Sequence, residues 1–431
     1  VKRKLIAAIG VAAMTVGIAA CGSDDSGNEN GGSGGSGGGD LSGEITVWLM
    51  QGSAPDAWLE ELNTAFEEEH GVKVNVEIQE WTGIQETITT GLSEDGTVDV
   101  LELGNTQTPG FANTGGLADL TDSKDDLGYS EWYEGNLASV EFDGDLYAVP
   151  WYTANRAVVY DKDMWDEAGV TELPTTRDEW VTALETIEAE TDYEPMYLPG
   201  QSWALLSTFI WDEGGDYAKE DGDEWVGTLN TPEAEAGMAF YKQLQGFSSS
   251  PTDNDEASPQ QATEVIPQSE IASWIGLPWE VDGAVAALEE AGRTANLGVF
   301  PIPGKTADTP GSVFLGGSNL AIAERAGNPD AAQEWLKMAT SEDWMRKFSE
   351  TTPMLPNRAS AVPESEEGSF IAAMNAVADY GNLPPLTPGW ANVETVPNPI
   401  KEMMTKVLDG TDYATAAGEA DAEITARINR E

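Results

Sequence analysis

Two hydrophobic periods alternate along this chain, and the switches between them mark its predicted elements. Glu44-Ile-Thr-Val-Trp-Leu-Met50 reads as a buried strand. Ser53 reads as a helix cap ahead of Pro55 and Asp56; Leu59, Leu62 and Phe66 then share one helical face, and Gly71 supplies the stop. Val72–Ile78 alternates with period two, and a polar helix through Ile84, Ile88 and Leu92 leads to a third strand, Val98–Leu103. A β-α-β-α-β order predicts a largely parallel, helix-covered sheet. Ligands of such sheets sit beyond the carboxyl ends of the strands, here Gln51–Ser53, Glu80-Trp81 and Gly104–Gln107.

Further strands are predicted at Asp145–Tyr152, Ala157–Tyr160, Ile271–Gly276, Leu297–Pro301 and Asn319–Ala323. Helical patterns run over 163–169, 178–190, 203–213, 231–247, 328–340, 342–350, 368–380, 396–408 and 413–429. The Ser-, Asp- and Pro-rich stretch 247–262 reads as a surface loop, and no repeat period suggests a solenoid or propeller.

The first forty residues follow neither period. Lys2-Arg3-Lys4 precedes an apolar run, Leu5–Ala20, that ends in small residues at Cys21. That is the layout of a secretory signal, and at 16 residues the run is short for a spanning helix, which takes about 20. Val1 reads as an initiator position. Ile18-Ala-Ala-Cys21 resembles the bacterial lipobox, which implies cleavage before Cys21 and lipid attachment to its thiol. Residues 22–43 are almost all Gly, Ser, Asp, Asn and Glu, a flexible tether reaching roughly 25 Å. The expected order is thus signal peptide 1–20, lipidated Cys21 with tether 21–43, and a globular body from residue 44.

Composition narrows the chemistry. Against 76 acidic residues the chain has 21 Lys+Arg, a net charge of −55, which repels phosphate backbones and anionic lipid; nucleic-acid binding is not expected. The acidic residues are dispersed, as on a hydrated surface. With one Cys and one His, an internal disulfide and a Cys/His zinc site are excluded, and His70 reads as a cation at a helix end. No cofactor or metal is expected.

Ordered motifs over residues 44–431 together resemble the bacterial extracellular solute-binding proteins for oligosaccharides, the maltose-binding class. They are Ile45-Thr-Val-Trp48, Phe66-Glu67 with Gly71-Val-Lys-Val74, Asp99-Val-Leu-Glu102, Gly116-Leu-Ala-Asp-Leu120, Tyr147-Ala-Val-Pro150, Val159-Tyr-Asp-Lys-Asp163, Ile275-Gly-Leu-Pro-Trp-Glu280, Gly316-Gly-Ser-Asn-Leu-Ala-Ile322 and Asn328-Pro-Asp-Ala-Ala332. Trp48–Pro55 and the Gly104–Pro109 loop look most like actinomycete chitobiose-binding lipoproteins. The resemblance implies an α/β fold of two lobes joined by crossing segments around an interlobe cleft. Lobe one would take 44–152 plus 319–365 and lobe two 153–318 plus 366–431. It implies capture of a di- or oligosaccharide for an ABC permease, at the extracytoplasmic face, by a monomer that meets the membrane through its anchor only.

Sugars need aromatic faces for their C–H patches and amides or carboxylates for their hydroxyls. The candidate stacking residues are Trp81, Trp151, Tyr152, Trp203, Trp211, Trp279 and Trp390; the polar candidates are Ser53, Asn105, Gln107, Asn155, Glu280 and Ser318, with Gly317 allowing close backbone approach. Ala154 stands where some members of the resembled family carry an acidic ligand. The alternative reading is a lipid-anchored glycoside hydrolase working through two carboxylates, for which no motif is present. A calcium-dependent adhesin is disfavoured because Asp221–Glu224 and Asp253–Glu256 lack calcium-loop spacing.

Overall fold

A computed structural model describes residues 41–430 except Thr82 and Ser258, so the signal, Cys21 and most of the tether lie outside the described residues. Nine strands position the site: β1 Glu44–Met50, β2 Lys73–Gln79, β3 Val100–Gly104, β4 Ala148–Thr153, β5 Ala157–Asp161, β6 Ser273–Gly276, β7 Leu297–Phe300, β8 Gly317–Ile322 and β9 Leu355–Pro356.

The first sheet has the order β9-β4-β8-β3-β1-β2. β1 runs parallel to β2 and β3, as the period pattern predicts, with Glu44 opposite Lys73 and Val47 opposite Val100. β8 lies antiparallel between β3 and β4. The sheet is therefore mixed, closed by a strand that arrives more than two hundred residues after β3. A second sheet has β5 at its centre, antiparallel to β6 and β7. Residues 154–156 alone separate β4 in one sheet from β5 in the other.

Each sheet has its own packing. Helix Asp56–His70 buries Trp58, Leu62 and Phe66 on the first sheet, where they meet Trp151, Trp335 and Phe348. Gly71 stops that helix at φ +68, its N–H returning to the Glu67 carbonyl at 2.9 Å. Ser53 does not cap it: Pro55 occupies the N-cap, and the Ser53 hydroxyl turns to a carboxylate described below. Trp165, Trp180, Phe209 and Tyr241 fill a second core, and Trp274 and Phe370 a third beneath the second sheet, which Leu355 of β9 joins from the first. His70 stacks on Phe66 at 4.7 Å.

Two regions depart from the sequence pattern. The stretch read as a surface loop to residue 262 buries Gln261 and half-buries Glu256, because helical turns over Gln261–Val265 and Ile266–Gln268 fold it against the second sheet. Thr153, Gly317 and Ser318, expected in lobe two, are paired in the first sheet, Gly317 opposite Thr153.

Candidate functional site

The carboxyl ends of the first sheet converge on Glu102. It stands in the middle of β3, flanked by Leu101 and Leu103, and is fully buried. Its Oε2 accepts the Met50 N–H at 2.7 Å; its Oε1 accepts Ser53 Oγ at 2.7 Å and the Tyr152 hydroxyl at 3.1 Å. Ser318 Oγ donates in turn to the Tyr152 oxygen at 3.2 Å. Burial pushes the Glu102 carboxyl upward while its donors pull it back, and burial beside Glu102 pushes the Tyr152 phenol well above its ordinary value. Strands β1, β3, β4 and β8 each contribute a side chain or backbone group, so the cluster fastens four strand ends together. Gly317 lets β8 close on β4: at φ +118 a Cβ there would lie 2.1 Å from the Tyr152 carbonyl oxygen.

Asn105 follows β3. Its Nδ2 donates to the carbonyls of Leu315 at 3.3 Å and Gly316 at 3.2 Å, while its buried Oδ1 has no protein partner. Gln107 Oε1 accepts the Gly104 N–H at 2.9 Å and thereby closes the turn into helix Thr108–Asn113. Asn155, in the crossing to β5, is fully buried, and neither end of its amide has a protein partner. Trp81, beyond β2, keeps an exposed ring.

Across the crossing the organising pair is Arg156 and Glu256. Arg156 Nε lies 3.0 and 3.1 Å from the two Glu256 oxygens, Arg156 Nη2 closes a second contact, and Ser202 Oγ donates to the same carboxylate. Burial opposes charge on Glu256, but Arg156 and these donors outweigh it and hold the carboxyl below its usual range. Glu280 sits in the first turn of helix Pro278–Glu290, accepting the Leu277 N–H at 2.7 Å and Gln261 Nε2 at 3.1 Å. Burial, with Glu256 adding, raises Glu280 to about 7.

Arg156 and Glu256 stand between two cavities. One of about 420 Å³ is lined by Gln260, Thr263, Trp279 and Glu280; one of about 170 Å³ by Gln201, Ser202, Trp203 and Lys401. Trp279 is 49% exposed and offers a free ring at the rim of the first. Trp203 borders the second, its ring edge-on to Phe314 at 5.1 Å. Gln107 instead lines a separate cavity of about 480 Å³, between helices Ile84–Ser93 and Thr108–Asn113 and facing Pro388 and Ala391.

Two expected platforms, Trp151 and Trp390, are buried in cores, while Trp211 stays half-buried. Trp151 is wholly buried, packed on Trp58 at 6.1 Å and Phe348 at 5.5 Å, because successive residues of β4 point to opposite faces and Tyr152 takes the strand-end side. Trp390 is buried on Tyr217 at 5.9 Å, its Nε1 donating to Glu394 at 2.9 Å. Trp211 leans on Phe314 at 6.0 Å and donates to Asp216 at 3.4 Å. Conversely, the sequence reading did not select Glu102, Arg156, Ser202, Glu256, Gln261 or Lys401. A carboxylate inside the apolar run Val100-Leu-Glu-Leu103, and an arginine in so acidic a chain, were the available signals. Among the described residues no group of His, Cys, Asp and Glu is arranged to hold a metal ion, and no helix is long and apolar enough to cross a membrane.

Exposed indoles at Trp81 and Trp279, buried amide atoms of Asn105 and Asn155 without protein partners, and carboxylates each committed to donors are chemistry suited to a polar, uncharged molecule. A mixed sheet and an antiparallel one, joined by a short crossing with that site beside it, define a two-lobed binding-protein fold. The structure superposes on the sugar-binding protein MalE of Xanthomonas citri with a TM-score of 0.77, at 21% identity over 89% of this chain and 97% of that one. It superposes on the GacH receptor of Streptomyces glaucescens with a TM-score of 0.72, at 24% identity over 90% and 99%. Residues 51–346 match the bacterial extracellular solute-binding protein family, and the chain belongs to that family. It is 45% identical, over 99% of both chains, to the diacetylchitobiose binding protein DasA of Streptomyces coelicolor. Its relatives are solute-binding proteins rather than enzymes.

Proposed function

We propose that this protein captures a neutral β-linked disaccharide of N-acetylated amino sugars, N,N'-diacetylchitobiose first among them, and delivers it to an ABC importer. The observation that carries the reading is the 45% identity to DasA, uninterrupted over 99% of both chains. The site fits it: Trp279 supplies a face for a sugar ring, while Ser53, Tyr152, Asn105, Asn155, Glu280 and Ser318 stand at strand ends with polar groups for hydroxyls and acetamido groups. Trp203 and Trp81 extend the aromatic lining. Closure of the lobe built on the first sheet against the lobe built on the second requires only that the ligand favour the closed state by a few kcal/mol. The lipobox at Cys21 and the tether to residue 43 hold a monomer at the extracytoplasmic face of the membrane, within reach of its permease.

Titration of the protein with N,N'-diacetylchitobiose, cellobiose, maltose, trehalose and xylobiose, followed by tryptophan fluorescence and with the sugars recovered by chromatography, tests this. Saturable binding of intact diacetylchitobiose at about 1 μM or tighter is the expected result. Turnover of the sugar would transfer the case to a glycoside hydrolase, and indifference to all five would remove the carbohydrate reading.

A further inference from the structure

Between the two sheets, the Gly316 carbonyl oxygen accepts from both sides of the crossing: Asn105 Nδ2 at 3.2 Å and the Ala154 N–H at 3.1 Å. Gly316 has no side chain to hold these apart; a Cβ there would lie 2.4 Å from the Ala154 carbonyl oxygen. One carbonyl thus sets the amide of Asn105 beside the backbone that carries Asn155. What remains unused is complementary. Asn105 has both Nδ2 contacts on carbonyls, which leaves its buried Oδ1 as an acceptor only. Asn155, wholly buried, keeps one donor end and one acceptor end without a protein partner.

A chain does not enclose an entire primary amide without partners unless something else meets it in the working state, since each such group is costly when left unmade. The set left over is a donor–acceptor pair next to a further acceptor. A trans secondary amide points its C=O and its N–H in opposite directions, so it takes a donor from one partner and an acceptor from another, whereas a hydroxyl presents a single rotating O–H. We infer that Asn155, with Asn105 beside it, is the specificity-determining residue for an acetamido group: Asn155 Nδ2 donates to the ligand carbonyl, Asn105 Oδ1 accepts the ligand N–H, and Asn155 Oδ1 accepts a neighbouring hydroxyl. The inference rests on the sugar-capture reading and narrows it, because it makes the N-acetyl substituent, rather than ring number or linkage, the feature that is read.

Calorimetric titration of the full chain with N,N'-diacetylchitobiose and with cellobiose, which keeps the β-1,4 skeleton and has a hydroxyl in place of each acetamido group, tests it. The wild-type protein is expected to bind the acetylated sugar at least about 100-fold more tightly, since a site with buried amide partners rejects the analogue lacking them. Asn155→Leu, close in volume and without polar atoms, should bring the two affinities within about threefold while leaving the melting temperature of the unliganded protein equal or higher, because a burial penalty is removed. Asn155→Ala, which removes both polar ends of the amide, should likewise weaken diacetylchitobiose at least about tenfold while changing cellobiose far less.

A wild-type affinity ratio preserved in both variants would overturn the assignment, and a lower melting temperature at preserved ratio would make Asn155 a structural amide. Wild-type protein that prefers cellobiose would overturn the acetamido reading while leaving sugar capture in place. Binding of neither sugar, nor of any other in the wider panel, would remove both.

Discussion

Replacing Glu102 examines the physical claim on which the first wall of the site depends. Its carboxylate accepts from the Met50 N–H, Ser53 Oγ and the Tyr152 hydroxyl, and all three donors belong to buried residues. In Glu102→Ala those donors lose their acceptor. Ser53 and Tyr152 already lie within 3.1 Å of one another and pair, and Ser318 still donates to Tyr152, so one hydroxyl proton and the Met50 N–H remain unmet. At about 1–3 kcal/mol for each, plus lost packing around a vacated side chain, the variant should lose roughly 3–6 kcal/mol, a large share of an ordinary domain's 5–15. Glu102→Gln should cost less, about 1–2 kcal/mol: its remaining oxygen serves Met50, and the two hydroxyls can rotate to accept from the new amide. Urea unfolding of the three proteins, with equal m-values required, measures both differences. An alanine variant within about 0.5 kcal/mol of wild type would refute the view that this carboxylate organises the strand ends.

Three further outcomes are expected. Trp279→Ala should weaken sugar binding about tenfold or more without moving the melting temperature, since the ring is 49% exposed; an unchanged Kd by calorimetry would remove Trp279 from the site. Gly317→Ala should destabilise the protein by about 3 kcal/mol or more, because φ is +118 and the new Cβ would lie 2.1 Å from a carbonyl oxygen; denaturation within about 1 kcal/mol of wild type would contradict the packing of β8 on β4. Glu280, raised to about 7 by burial, keeps its proton in the folded state after the unfolded chain has lost it near 4.5, so its contribution is full below about pH 4.5 and is lost as pH rises to about 7. Glu280→Gln should flatten that limb of a pH series of urea midpoints, leaving the part due to Glu394, which burial also raises to about 7; an unaltered slope would show that Glu280 titrates normally.

What could be read from the sequence was what depends on near neighbours. The period of two in Val72–Ile78 and the helical spacing of Leu59, Leu62 and Phe66 gave β2 and the helix before it, and the repeated strand–helix order gave the parallel register of β1, β2 and β3. The antiparallel insertion of β8 between β3 and β4 was not legible, since no local pattern says which strand a late segment will join. Ser53 illustrates the limit: Ser before Pro and Asp is a sound capping pattern, yet a buried carboxylate 49 residues away offered its hydroxyl a stronger acceptor. Trp151 and Trp390 show another. Trp151 lies near the end of β4 and Trp390 opens a short helix, but whether an indole faces the cleft or the core is set by the pleat and by distant partners such as Phe348 and Tyr217. Glu256 lay hidden because Ser-, Asp- and Pro-rich composition describes a loop without saying that Arg156 will draw it inward.

The two walls of the site are held by different means, and the difference bears on how binding is tuned. Glu102 and its donors lock Ser53, Tyr152 and Ser318 on the first sheet, and Arg156 with Glu256 and Ser202 locks the second wall. Each set is complete within the protein, so neither must reorganise when ligand arrives, and the ordering cost that erodes affinity is met during folding. Among the buried groups without protein partners, Asn105 Oδ1 and both ends of the Asn155 amide lie at the crossing, where the backbone passes from one sheet to the other. A ligand that satisfies them gains hydrogen bonds at the connection between the two sheets, and a ligand with higher affinity for one arrangement of the lobes shifts the equilibrium toward it. Changes in the locked walls should therefore appear chiefly as lost stability, and changes at the crossing chiefly as altered affinity and selectivity at nearly constant stability.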